Sequence, residues 1–264
     1  MKLHQPLSSL TLSNVAGFLV HPRLSGVRLT RPNAPSATEA VHQLLPQFSI
    51  EEIDQTRLAF LTNAAFFNEL NARTVARRHH YFLPDRWFEL MYLLVRFIQP
   101  EVMVETGVFD GVSSALILLA MSENQKGRLV SIDLPRPDEA VATHAPTDSY
   151  GPISAADAGT LPHGCDPGWI IPDSLRDRHA LHLGDAKVLL PKLLGDLGKI
   201  DIFFHDSNHS YAHMRWEFQN AWPAIKEGGW LFSDDIYWNL AWTEFAKSHD
   251  KPFVHFRSMG VLRK

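Results

Sequence analysis

An open α/β sheet, mostly parallel, closed by a C-terminal antiparallel hairpin and preceded by a helical extension, is the architecture this sequence predicts. Three observations predict it. Val102–Met121 reads as a short β-rich run, a glycine-bearing turn and an apolar helix. Strand-like and helix-like segments alternate from residue 101 onward, the pattern of a parallel sheet with helices on both faces. The chain ends on two short β runs, Pro252–Ser258 and Val261–Arg263, separated only by Met259 and Gly260, a spacing that suits a hairpin.

Each element has its own local reason. Residues 1 to about 36 are rich in Pro, Ser and Leu without a sustained period, which predicts an extended arm or irregular cap. Ser49, Ile50, Glu51 and Glu52 have capping-box form, and Ile53, Leu58, Phe60, Leu61, Phe66, Phe67 and Leu70 carry the helix on. After Pro84, the apolar positions Trp87, Phe88, Leu90, Met91, Leu94, Val95 and Ile98 cover more circumference than a free surface helix does. These helices pack on the main domain or form a subunit contact. Between them, Arg77, Arg78, His79, His80 and Tyr81 read either as a solvated junction or as substrate contacts.

The first strand is expected at Val102–Thr106 with its helix to about Met121, and the second at Arg128–Leu134. From Pro135 to about Arg178 the chain is dense in Pro, Gly, Asp and Ser and too long for an ordinary connection, so an insertion is expected there. Order resumes with a strand at Ala180–Asp185, a helix at Ala186–Leu197, a strand at Ile200–Asp206 and a helix at Tyr211–Ile225. A strand at Trp230–Asp234 and a helix at Trp238–Ser248 complete the series. The division follows: an arm and helical extension over 1–84, and a main domain over 85–264 carrying the insertion at about 135–178.

Bulk properties narrow the function. Hydrophobic residues at 45% and charged residues at 20% are ordinary for a globular chain. The net charge of −4 comes without a block of like charges, which argues against a nucleic-acid partner. Val15–Val20 is too short for a signal core and no run approaches a membrane span. The single cysteine, Cys165, excludes an internal disulfide and fits a cytoplasmic, reducing setting. It lies in an irregular loop and reads as a passive small residue.

In an open α/β sheet, ligands bind beyond the carboxyl ends of the strands. The five expected parallel strands end at or near Glu105, Asp133, Asp185, Asp206 and the pair Asp234–Asp235. One Asp at a helix start is an ordinary cap, but acids gathered on one rim repel unless a cation or hydroxyl-rich ligand lies between them. Gly107 and Gly111 permit positive φ or close backbone approach, and Ser113 or Ser114 can cap the following helix, so its N–H groups face the loop and suit an anionic group. A dinucleotide fingerprint would need glycines at 107, 109 and 112, where the chain has Gly107, Phe109 and Val112.

The pattern E-x-G-x-x-x-G-x-S over Glu105–Ser113 resembles the first motif of class I S-adenosylmethionine-dependent methyltransferases. The resemblance is closer at Ile200–Met214, IDIFFHDSNHSYAHM, and at GGWLFSDD, Gly228–Asp235; PGWIIPDSLR and GDAKVLLPKLL also fit. These stretches are similar to a bacterial group whose fourth strand ends in H-D-S-x-H-S-Y and whose fifth reads G-G-x-L-x-S-D-D, related to metal-dependent O-methyltransferases.

The resemblance implies a Rossmann-like class I methyltransferase sheet that binds S-adenosylmethionine. Its cofactor residues would be Glu105, Gly107, Val108, Phe109, Gly111, Ser113, Ser114, Asp133, Gly184, Asp185, Ala186 and Asp206. Asp133 would accept from the ribose diol, Asp185 from the adenine amino group, Ser113 or the loop amides would take the methionine carboxylate, and Glu105 would sit near the ammonium or organise the loop. Asp206, Asp234 and Asp235 occupy positions that bind magnesium in the catechol-type relatives. Asp206 is thereby a catalytic candidate, with His209, which stands where those enzymes carry a lysine base. His209 either takes the proton or only hydrogen-bonds its loop; His205, on the other face of the strand, is structural. The Asp residues either bind ligands or cap their helices.

Trp169, in Pro167–Asp173, closes over the cofactor or packs on another subunit. The implied reaction is O-methylation of a small hydroxylated metabolite or sugar, with a small-molecule acceptor, no nucleic acid or membrane partner, and a homo-oligomer open. The rivals are an NAD-dependent oxidoreductase and a non-catalytic cofactor-binding module.

Overall fold

A computed structural model describes residues 35–78, 86–134, 147–148, 151–152, 161–251 and 253–264. The arm before residue 35, half of the insertion and His79, His80 and Tyr81 of the polar junction lie outside these residues.

Serine caps start the first helices. Ser36 caps α1 (Ala37–Leu44) and Ser49 caps α2 (Ile50–Leu61), each with the glutamate three residues on, Glu39 or Glu52, reaching back to the cap's N–H. α1 is not among the expected elements, although Ser36 and Glu39 have the same capping-box form as Ser49 and Glu52. The expected run to Leu70 divides in two: α2 stops at Leu61, and α3 (Ala64–Arg78) begins after Asn63, whose Oδ1 accepts from Phe66 N–H as a cap does. α4 (Arg86–Ile98) then leads into the sheet.

The main sheet runs β5-β2-β1-β6-β7-β9-β8. β1 (Val102–Thr106), β2 (Arg128–Asp133), β5 (His179–Leu183), β6 (Ile200–His205) and β7 (Ile225–Ser233) pair in parallel. β9 (Met259–Arg263) pairs antiparallel with β7 and with β8 (Phe253–Phe256), which confirms the closing hairpin. β3 (Thr147–Asp148) and β4 (Gly151–Pro152) form a separate two-stranded piece in the insertion.

Helices cover both faces. α1 to α4 and α5 (Val112–Glu123) share one hydrophobic core with Met103, Phe204, Trp230 and Phe232, so the N-terminal helices pack on the sheet. α5 is apolar all round and buried from Ser113 to Met121, as a helix squeezed between α4 and the sheet must be. α6 (Ala186–Leu197), α7 (Tyr211–Ala221) and α8 (Ala241–Ser248) form the opposite core with Val104, Phe203 and Leu231.

The remaining differences from expectation lie at element ends. α7 ends at Ala221 rather than running to Ile225, because Pro223 interrupts it and Ile225 already pairs with Ile200. β7 therefore starts five residues earlier than expected, at Ile225 rather than Trp230.

Candidate active site

Register decides which residues share a rim. Thr106 pairs with Ile132 and with His205, His205 pairs with Ser233, and Asp133 pairs with Leu183. The next hydrogen bonds carry each strand one residue further: Gly107 N donates to Ile132 O, Asp206 N to Thr106 O, Asp234 N to His205 O and Gly184 N to Asp133 O. The glycine loop, Asp133, Asp206 and Asp234 thus stand in a row, while Asp185 lies two residues beyond the last paired position of its edge strand.

The loop after β1 has its shape fixed from three sides. A Cβ on Gly107, at φ +84°, would fall on the Asp206 carbonyl oxygen, so only glycine lets the two strand ends approach. Asp133 Oδ2 accepts from Val108 N at 2.9 Å and from Phe109 N at 2.7 Å. Phe109 holds φ +50°, a position sterically costly for a side chain with Cβ, and remains 41% exposed. Its carbonyl accepts from Gly168 N, so Asp133 on one side and the end of the insertion on the other keep this residue where it is.

The insertion's last segment is therefore a strap over the loop. Ile170 N donates to Asp110 O and the Trp169 indole N–H to Asp110 Oδ1 at 2.7 Å. Gly111 holds φ +97°, and a Cβ on it would lie 2.7 Å from Gly168 Cα, so backbone conformation and strap contact both call for glycine there. Arg176 donates to Gly168 O and Arg73 of α3 to Ile171 O, tying the strap back to its own 3-10 turn and to the N-terminal helices. Trp169 packs against the core of its own chain. Cys165, nearby, is buried.

One sequence expectation changes, and Glu105 and Asp185 each take up one of the roles expected of them. The N-cap of α5 is Gly111 and has no side-chain cap bond: Ser113 and Ser114 are buried and their hydroxyls donate to Glu105 Oε1 and Oε2 at 2.8 and 2.6 Å, joined by Ser131 at 2.8 Å. A buried carboxylate left without those donors would be costly, and capping lost the competition. Glu105, wholly buried, consequently organises the loop from beneath, and burial pushes its carboxyl up to about 7 despite the three hydroxyls. Asp185 caps α6 by accepting from Lys187 N at 2.8 Å, with Gly184 before it and Ala186 mostly buried behind it.

Asp206 is where the rim concentrates charge. Loss of water, then Asp234, Asp235, Glu105 and Asp133, raise its carboxyl well above the usual range. Four of the five expected acidic strand ends therefore act on one another. His209 Nε2 lies 3.8 Å from Asp206 Oδ1 and has no hydrogen-bond partner among the described residues. Its ring stacks on Trp238 with centroids 6.1 Å apart, and Asn239 donates to its carbonyl. Burial first and His205 second, with a smaller push from His213, outweigh the opposing pull of Glu217 and lower the imidazole to about 3, so it is neutral at physiological pH.

The expected magnesium set is not shown by the structure. Among the described residues no three His, Cys, Asp or Glu side chains are grouped to hold a metal ion. Asp234 Oδ1 accepts from the Ser258 hydroxyl at 2.6 Å, and Asp235, at φ +47°, opens a turn in which its backbone carbonyl accepts from Trp238 N–H. Asp206, Asp234 and Asp235 share a field without sharing a ligand geometry.

One buried residue that joins the strand ends of the site escaped the sequence reading. Glu217 is wholly buried on α7 and meets Thr106, His205, Ser207 and His213. Its signal was present: Met214, Glu217, Phe218 and Ala221 make one buried helical stripe, and an acid on such a stripe needs partners.

A methyltransferase-domain family profile matches residues 104–236. No curated protein matches the chain. Among solved structures, a candidate O-methyltransferase from Klebsiella pneumoniae aligns at a TM-score of 0.51 with 12% identity, over 83% of this chain and 97% of its own. An O-methyltransferase from Bacillus cereus in complex with S-adenosylhomocysteine aligns at 0.46 with 14% identity, over 86% and 96%. The O-methyltransferase TomG from Streptomyces achromogenes, in complex with S-adenosylmethionine, aligns at 0.48 with 16% identity, over 74% and 89%. The profile spans half of the chain and covers the whole rim from β1 to Ile236, and the strand order with its antiparallel end is that of the fold: the chain belongs to the methyltransferase-domain family and is a class I S-adenosylmethionine-dependent methyltransferase.

Proposed function

We propose that the enzyme transfers the methyl group of S-adenosylmethionine to a hydroxyl oxygen of a small hydroxylated metabolite or sugar, with His209 as the base. The observation that carries this reading is the crowding of Asp234, Asp235, Glu105 and Asp133 around Asp206, which leaves the rim short of positive charge. A sulfonium supplies that charge. The loop of Gly107–Gly111 would take the methionine end, Asp133 the ribose and Gly184–Ala186 the adenine.

The chemistry is an in-line displacement. The acceptor oxygen forms its bond to the methyl carbon as the carbon–sulfur bond breaks, the electron pair goes to sulfur as neutral S-adenosylhomocysteine, and the hydroxyl proton passes to the His209 imidazole. His209 is neutral, so its lone pair is available, and because its imidazole is lowered to about 3 the proton moves to it only as the new oxygen–carbon bond makes that proton strongly acidic. Holding the reactants collinear supplies much of the acceleration. No step is drawn through magnesium, since the acids present do not form its ligand set.

Calorimetry with S-adenosylhomocysteine tests the cofactor assignment. Asp133→Ala, which frees the amides of Val108 and Phe109, is expected to weaken binding by about tenfold or more; an unchanged affinity removes the assignment. Turnover on a panel of hydroxylated acceptors, read as S-adenosylhomocysteine formed with and without chelator, tests the reaction. Activity that persists in His209→Gln removes the base.

A further inference from the structure

Glu217 takes no part in those steps, yet it is buried completely and binds donors from both strand ends of the site. Oε2 accepts from Thr106 Oγ1 at 2.6 Å and pairs with His205 Nδ1 at 2.6 Å. Oε1 accepts from Ser207 Oγ at 2.9 Å and pairs with His213 Nε2 at 2.8 Å. Thr106 immediately precedes Gly107, and His205 and Ser207 flank Asp206. One carboxylate therefore ties the strand that opens the cofactor loop to the strand that delivers the acid and the base. The backbone makes the same junction, with Asp206 N on Thr106 O and Gly107 against the Asp206 carbonyl.

His205 extends the tie to His209. Its Nδ1 is committed to Glu217, its Nε2 is buried without a partner among the described residues, and its ring meets the His209 ring edge to face at 5.1 Å. His209 is thus gripped between His205 and Trp238. A shift of the His205 ring has nowhere to go except into the base, because the interior is close-packed.

We propose that Glu217 is a positioning residue of the methyl-transfer site: through His205 it sets the orientation of His209, and through Thr106 and Ser207 it sets the spacing between the cofactor loop and Asp206. The proposal rests on reading His209 as the base. It also accounts for an acid placed on the apolar stripe of α7, since a hydrophobic residue there would leave four polar groups without their acceptor.

The test needs no acceptor. The full chain with ¹⁵N-labelled histidines is saturated with S-adenosylhomocysteine, and the ring nitrogens are followed by NMR in wild type and in Glu217→Gln, with the His209 signals identified by their loss in His209→Gln. Glu217→Gln keeps the shape, removes the charge and replaces one acceptor oxygen with a donor: an amide NH2 turned toward His205 forces a change of tautomer or partner, and an amide oxygen turned toward it leaves a neutral acceptor in place of a charged one. The expected result is a displacement of the ring nitrogens of both His205 and His209, with the S-adenosylhomocysteine Kd within about threefold of wild type. Ser207→Ala removes one of the bonds and moves the same signals less; it carries the test should Glu217→Gln not fold. His209 signals unchanged in the folded variants overturn the proposal. Coupling seen in a protein whose methyl transfer survives His209→Gln instead overturns the choice of base and leaves the positioning in place.

Discussion

Glu105 and Glu217 lie at the same end of the sheet, both without solvent contact, and are held in opposite ways. Glu105 is met by the hydroxyls of Ser113, Ser114 and Ser131, and its carboxyl is pushed up to about 7. Glu217 is met by the hydroxyls of Thr106 and Ser207 and by the imidazoles of His205 and His213; burial again pushes it up, but the two histidines more than offset this and hold it well below the usual range. Hydroxyl donors satisfy the oxygens of a buried carboxylate without supplying charge, whereas an imidazole can do both. The first arrangement leaves an acid that responds to a cationic ligand beside it; the second makes a fixed anchor.

The contrast breaks most visibly at the anchor. Glu217→Leu is expected to cost about 3–5 kcal/mol, since it strands the groups paired with it; urea unfolding would show the loss, and a cost near zero would mean that the histidines carry no charge the carboxylate answers.

Glu105 gives the next largest effect, and it appears as a pH dependence. Its folded carboxyl lies above the unfolded value, so between about 4.5 and about 7 the native state binds the extra proton and stability falls as pH rises, levelling off above. Glu105→Gln removes this slope, on the order of 3 kcal/mol across the window at about 1.4 kcal/mol per unit. Thermal melts of wild type and variant over that range check it; parallel profiles would show that Glu105 titrates normally.

The smallest effects sharpen the comparison donor by donor. Thr106→Val, at the ionised Glu217, is expected to cost about 1.5–3 kcal/mol, and Ser114→Ala, at the half-protonated Glu105, about 1 kcal/mol. Equal losses in denaturant unfolding would erase the distinction between the two carboxylates.

Much of this was legible before folding. The strand–loop–helix unit at residues 102–121, the helix at Ala186–Leu197 and the closing hairpin were read from periodicity and glycine placement, and the acids at strand ends from their positions after apolar runs. The positive φ at Gly111 was legible, but its contact with the strap was not, because Gly168 meets it across an insertion with no periodicity. Nor was the fate of Ser113 and Ser114: a serine at the start of a helix reads as a cap until a buried carboxylate competes for it.

The sequence by itself determined the α/β layering, the glycine turn and the row of acids, because hydrophobic period and turn chemistry act over a few neighbouring residues. Only the tertiary structure decided which acid is an anchor and which is a responsive site. Ser131 reaches Glu105 across 26 residues, and Glu217 reaches Thr106 across 111. Such partners are chosen by strand register and helix packing, and it is the partners, charged or merely polar, that set the state of a carboxylate from which water has been removed.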